Sequence, residues 1–321
     1  MELKVAGRRL GFGECHEVEG RLTVADLVPT SRRCGLYLLG FRTGEAYAGL
    51  STDVVGRFVQ HARTHADISS FASRYVPRTR LDAEETLAIE RLEKWGFRLR
   101  NIAKASAPSL ESDLDAVLSP QQQDQFIDKG VCSSHQRPPQ LRDLHRRYLR
   151  RFGELMARPV GLDAVAGFAA YLPRTIPDAP ATQAAFWAAT AAVNSRVHLR
   201  VNIHWQEVLT AYSWKGDLRF SLHVPRSPLE SAFGSSLRSI RHSLTPCAVS
   251  DHRYSPGGVD QVKLDVAGYD GMRALLRVPS VRAAARLFNV RLMRKGPCVW
   301  ARNHCPQLAD LGSRWVPRGA V

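Results

Sequence analysis

Between Cys34 and Asn101 the chain carries phenol, guanidinium, imidazole and carboxylate side chains, groups able to move protons and stabilise charge, as cutting a phosphodiester for one would require. Tyr37 ends a Gly35-Leu36-Tyr37 run, and Tyr47 opens Tyr47-Ala48-Gly49. Arg57 and His61 stand four apart, and Glu85 and Asn101 follow. Cutting a phosphodiester needs a water made nucleophilic, a cation facing the charge that builds on phosphorus, and help for the leaving oxygen from a divalent metal. Arginine suits the cation because its guanidinium is planar and always charged. A phenol near pKa ~10 becomes a base near neutral pH only beside a cation or a metal. One carboxylate suits Mg2+, which keeps most of its waters.

Local pattern predicts the elements that bring these groups together. Residues 36–39 form an apolar run with β character, Arg42-Thr43-Gly44-Glu45 is a polar turn, and residues 46–50 form a second short strand. The resulting hairpin places Tyr37 near Tyr47. Ser51-Thr52-Asp53 signals a helix start, and on that helix Arg57 and His61 share a face. Residues 81–94 read as a second helix with Leu87, Ile89 and Leu92 inward. Glu85 is preferred over its neighbour Glu84 because it precedes Ile89 by one turn. Gly96 ends the helix, residues 97–102 return as an extended segment, and residues 1–30 read as short strands or loops.

In this order and at these intervals the residues resemble the GIY-YIG nuclease superfamily, over about a fifth of the chain. The resemblance implies a small α/β domain, an antiparallel sheet with flanking helices, acting as a metal-dependent endonuclease. Glu85 then matches the family's single acid on Mg2+ (or Mn2+), and Arg57 the arginine that stabilises the pentavalent phosphate. Tyr37 and Tyr47 match the tyrosines that orient or deprotonate the attacking water. His61 matches the position that assists proton transfer, and Asn101 the terminal asparagine that holds the site together. DNA is the expected substrate, since members of the superfamily act mainly on DNA. Leu36 replaces the usual Ile, and Ala48 replaces Ile or Val; neither change touches a catalytic atom.

The remaining chain matches no named family. Net charge is +15 and the pI is near 10.1, which favours polyanions through counterion release. A length of 321 residues predicts two domains: a nuclease-like one at 1–105 and an α+β one with an antiparallel sheet at 136–321. The segment 106–135, with small residues, a Gln run and scattered acids, reads as a weakly structured linker containing a short helix that starts at Ser119-Pro120. A helix over 141–152 carries Arg142, Arg146 and Arg150 in one column, flanked by Arg147 and Arg151, and offers them to phosphates. Helical patterns continue through 162–172 and 181–193.

Period-two alternation then marks strands near 197–204 and 218–224, joined around Lys215-Gly216-Asp217. The outward set His198, Arg200, His204, Arg219 and His223 makes a second candidate nucleic-acid platform. One more strand is expected around 262–266 and a last helix over 281–290. Six scattered Cys are expected reduced, and Cys298, His304 and Cys305 lack the paired spacing of a zinc site. No stretch reaches transmembrane length and the start has no apolar leader, so a cytoplasmic protein without a membrane partner is expected. The competing readings are a catalytically weak or inactive nucleic-acid-binding protein, or a nuclease fused to a protein-interaction module.

Overall fold

The computed structural model describes residues 1–100, 112–132, 139–234, 237, 247–252, 254–258 and 260–314. The chain divides into two compact units, Met1–Leu110 and Glu111–Val321, both α/β with an antiparallel sheet.

In the first unit β1 (His16–Glu17), β2 (Gly35–Phe41), β3 (Ala46–Ser51) and β4 (Ile68–Tyr75) form an antiparallel sheet in the order β1-β4-β2-β3. β2 is central and every one of its residues is buried. Its alternation sends Leu36 and Leu38 to one face and Tyr37, Leu39 and Phe41 to the other. The first face is covered by α1 (Leu3–Arg9) and α3 (Leu81–Lys94), whose Ala6, Leu81, Ala88, Ile89 and Leu92 join that core. The second is covered by α2 (Val54–Thr64) through Val54, Val55 and Phe58. The helix α1 corrects the expectation of strands or loops over 1–30: Leu3, Ala6, Gly7 and Leu10 already carry helical spacing.

In the second unit six strands run β5-β6-β7-β8-β10-β9, all antiparallel. They are β5 (Trp187–Ala191), β6 (Val197–Ile203), β7 (Gln206–Trp214), β8 (Asp217–Val224), β9 (Ala248–Ser250) and β10 (Val262–Ala267). The β7–β8 turn falls at Lys215 and Gly216, both with positive φ, as the primed hairpin turns require. Leu199, Val201, Ile203, Phe220, Leu222, Val262 and Leu264 face one core. Helices α6 (Gly161–Thr175), α9 (Gly268–Arg277), α10 (Pro279–Met293) and α11 (Pro306–Arg314) pack into it. Before and between them lie α5 (Arg142–Met156), α7 (Ala179–Thr182) and α8 (Arg226–Phe233).

Two expectations need correction here. Residues 112–132 are not a weakly structured linker. Ser119 caps α4 (Pro120–Lys129) in a reciprocal box with Gln122, and Leu114, Leu118 and Phe126 are fully buried in the second unit's core. Arg294, just after α10, fastens the segment through Asp115 at 2.7 Å. Apolar side chains were sparse enough for composition to hide them. The Ala-rich stretch 181–193 is not one helix either: after the end of α7 its middle, Trp187–Ala191, is β5, paired with β6 from Trp187↔Ile203 to Ala191↔Leu199. Pairing within the sheet outweighs alanine's helix propensity.

α6 is buried nearly all round, and Gly167 is where it meets the sheet: a Cβ there would lie 2.2 Å from Phe220 Cζ. Gly167→Ala should therefore destabilise the second unit by about 1–3 kcal/mol through overpacking. Gly153→Ala, on the exposed side of α5 with open space around it, should gain roughly 0.5–1 kcal/mol. Urea unfolding of the two variants checks the pair. Equal effects would mean that the contact at Gly167 does not constrain the packing.

Candidate active site

Four of the expected site residues meet on the α2-covered face of the first sheet. β2 and β3 pair so that Tyr37 lies opposite Gly49 and Leu39 opposite Tyr47. Gly49 is required there: a Cβ would stand 2.4 Å from the Tyr37 hydroxyl and 2.7 Å from Tyr47 Cε1. The Tyr37 ring therefore lies across β3, with Tyr47 nearly parallel at 5.9 Å between centroids. α2 begins where Asp53 caps it, its Oδ1 accepting the Val55 N–H. That start sets Arg57 and His61 over the two phenols. His61 Nε2 is 2.8 Å from the Tyr37 hydroxyl, and the His61 ring centroid is 4.8 Å from that of Tyr47. Exposed Arg57 adjoins both hydroxyls and donates to Gln60 Oε1 at 2.6 Å. His65, one turn beyond His61 and absent from the expected set, stacks on it at 6.0 Å.

Glu85 reaches the same strand from the other side. It sits on the buried stripe of α3 with Leu81, Ala88, Ile89 and Leu92, and is only 9 % exposed. Its Oε1 accepts the N–H of Leu50, next to Gly49 on the sheet's edge strand. Glu84 has another duty, binding Arg74 at 2.8 Å and Arg80 one turn away. The two neighbouring acids thus differ in setting: Glu85 is buried among apolar side chains against β3, and Glu84 is engaged by two arginines. Leu87, expected inward, is exposed. Asn101 lies outside the described residues.

Burial sets the protonation of this cluster. It pushes the Tyr37 phenol well above its ordinary range, more strongly than Arg57 pulls it down. Burial first, then the charges of Arg57 and His65, lowers His61 to about 4. At neutral pH the pair is thus a protonated phenol beside a neutral imidazole, and the imidazole is the member able to accept a proton. Among the described residues no set of three or more His, Cys, Asp or Glu side chains converges as a metal site. Glu85 reaches β3 from the face opposite α2, and a single carboxylate is a donor set that fits an ion retaining most of its waters.

A network that the sequence did not announce braces the site from below. Arg100 is buried and binds Glu45 at 2.6 Å and Asp67 at 2.7 Å, while its guanidinium lies 3.8 Å from the Phe41 ring centre. It ties the β2–β3 turn to the loop after α2.

In the second unit the expected phosphate contacts divide. Arg142 and Arg146 are exposed on α5, and Arg150 is exposed but paired with Glu154 at 2.7 Å. Arg200 and Arg219 line an open basin of about 620 Å3 on the sheet's other face, together with Thr210, Tyr212, Lys263 and Asp265. Both are held by acids, Arg200 by Glu207 at 2.5 Å and Arg219 by Asp265 at 2.6 Å. His198 and His223 do not belong to an exposed platform. They are buried, His198 between Arg158 and Ser213, and His223 beside His252 and Tyr254.

No protein-family model, curated protein or solved structure matches this chain. Among the described residues no single helix is long and apolar enough to cross a membrane.

The cluster makes a titration prediction. Because folding lowers the His61 pKa, the ring stays neutral from 6.5 down to about 4. The stability this neutrality contributes is present above pH 6.5 and drains away as pH falls toward 4. NMR of the His61 ring in the free protein should give a midpoint near 4. Arg57→Gln should raise it while leaving it below 6.5, because burial is the larger cause. A wild-type midpoint at 6.5 would contradict the buried geometry.

Proposed function

We propose that the first unit is a GIY-YIG-type endonuclease that hydrolyses phosphodiesters in DNA, and that the second unit holds the substrate. The observation that carries this reading is the Tyr37–His61 contact at 2.8 Å, with Arg57 beside the same hydroxyl. With the imidazole proton on Nδ1, the Tyr37 O–H donates to His61 Nε2. Its oxygen can then accept a proton from the attacking water as its own proton passes to the imidazole. Arg57, exposed above both phenols, faces the non-bridging oxygens of the phosphate as negative charge builds there. Tyr47 packs against His61 and fixes the ring's angle. Glu85, which accepts the Leu50 N–H, is the residue that would hold Mg2+ or Mn2+. The chemistry such an ion supplies when bound is polarisation of the phosphate and stabilisation of the leaving oxygen.

Cleavage of plasmid and single-stranded DNA, and of RNA, with and without Mg2+ tests the reading. Glu85→Gln keeps the shape and removes the charge, so single-turnover cleavage should fall by orders of magnitude. Arg57→Ala should lower it by about 10²-fold or more. Glu84→Gln loosens only the ion pairs with Arg74 and Arg80 and should stay active. Binding should survive in all three variants. Full activity in Glu85→Gln would overturn the mechanism, and wild-type binding without any cutting would make the chain a nucleic-acid-binding protein.

A further inference from the structure

A pocket of about 280 Å3 lies between the flank of α5 and the outer face of the second unit's sheet. We propose that it receives one unpaired nucleotide of the bound strand, base inward; this rests on reading the chain as acting on nucleic acid. Tyr148, Arg151, Thr190, Asn202, Trp300 and Asn303 line it. Its volume suits a single nucleoside and is too small for a base pair.

Asn202 is the telling residue. It sits on β6 and is only 6 % exposed, yet its side-chain amide makes no hydrogen bond with any described residue and lines the pocket. Lining the open pocket, that amide is available to whatever enters. Being donor and acceptor at once, it can pair with the hydrogen-bonding edge of a base. Asn303 supplies a second amide, positioned by the Tyr148 hydroxyl, which donates to the Arg302 carbonyl at 2.7 Å and lies 3.3 Å from Asn303 Oδ1.

Trp300, 39 % exposed, offers an aromatic face to a base on the pocket wall. Arg151 stands at the rim, and Arg147 follows one turn away on the same helix face. Both are exposed, and neither is ion-paired to a described residue. That column leads phosphates toward the pocket. A neutral sugar chain would use the tryptophan and the amides but would have no use for these cations.

The wall is rigid before anything binds. The Cys298 N–H donates to Ala185 O at 2.8 Å and the Cys305 N–H to Ala189 O at 2.7 Å. Between them buried His304 accepts the Ala189 N–H on Nδ1, so its Nε2–H points to Gln183 Oε1, 3.2 Å away. A preformed wall lowers the ordering needed on binding.

The test uses the full chain in EDTA. Fluorescence anisotropy compares a duplex carrying one unpaired 2-aminopurine with the same duplex fully paired, in DNA and in RNA. The wild type should prefer the unpaired probe by about tenfold in at least one of them and quench its fluorescence. Trp300→Ala, at the surface, and Asn202→Leu should each reduce the preference to about twofold or less, with affinity for the paired duplex unchanged. Equal wild-type binding of both probes would overturn the proposal. So would a preference that survives both substitutions, or Trp300-dependent binding of a neutral oligosaccharide in place of the nucleotide. Cleavage distinguishes this from the nuclease reading. A chain that cuts with Mg2+ but ignores the unpaired base loses the pocket and keeps the nuclease, and preference without cutting does the reverse.

Discussion

The cross-strand pair Tyr37↔Gly49 is the constraint on which the first unit is arranged. Because Gly49 has no Cβ, the phenol can lie across its partner strand and still reach the helix above. A slip of one residue would turn Tyr37 toward the α1–α3 side and expel Leu36 and Leu38 from that core. The apolar pattern of β2 and the position of its hydroxyl are therefore one requirement. The Asp53 cap acts at the same level: α2 starting elsewhere would rotate Arg57 and His61 off the phenols.

Charge is distributed less simply than a net +15 suggests. Arg100, Arg200, Arg219 and Arg294 are all engaged by carboxylates, several of them in half-buried surroundings. Such pairs hold segments together and offer little to a polyanion. On α5, by contrast, Arg142, Arg146, Arg147 and Arg151 are exposed and have no ion pair with a described residue.

Much of this was legible in the sequence wherever local pattern and tertiary demand agree. The β2–β3 hairpin, α2, the full extent of α3 and the alternation of β6 and β8 could be read from spacing and turn chemistry. So could the approach of Tyr37 to Tyr47 and the shared face of Arg57 and His61, while their meeting followed only from the family resemblance. β4, with its Ser and Arg residues, lacks a clean apolar alternation, and nothing local says that it pairs with β2. β5 is written in alanine, whose local preference is helical. Arg200 and Arg219 were correctly read as facing outward, but their acidic partners come from other positions on the sheet, which no periodicity reveals. The Arg100 network joins residues 55 apart and left no local mark at all.

That network gives the first unit an order of assembly. The hairpin turn carries Glu45, a nearly buried carboxylate, and its partner guanidinium arrives only at residue 100. A chain growing from its N-terminus makes both tyrosine-bearing strands, α2 and α3 before it possesses the cation that neutralises Glu45 and Asp67. Until then Glu45 and Asp67 lack the guanidinium that joins them. That contact is a long-range one, joining residues 55 apart in sequence. In the order of synthesis, the residue that ties the hairpin turn to the loop after α2 is therefore among the last of the described residues of the unit to be made.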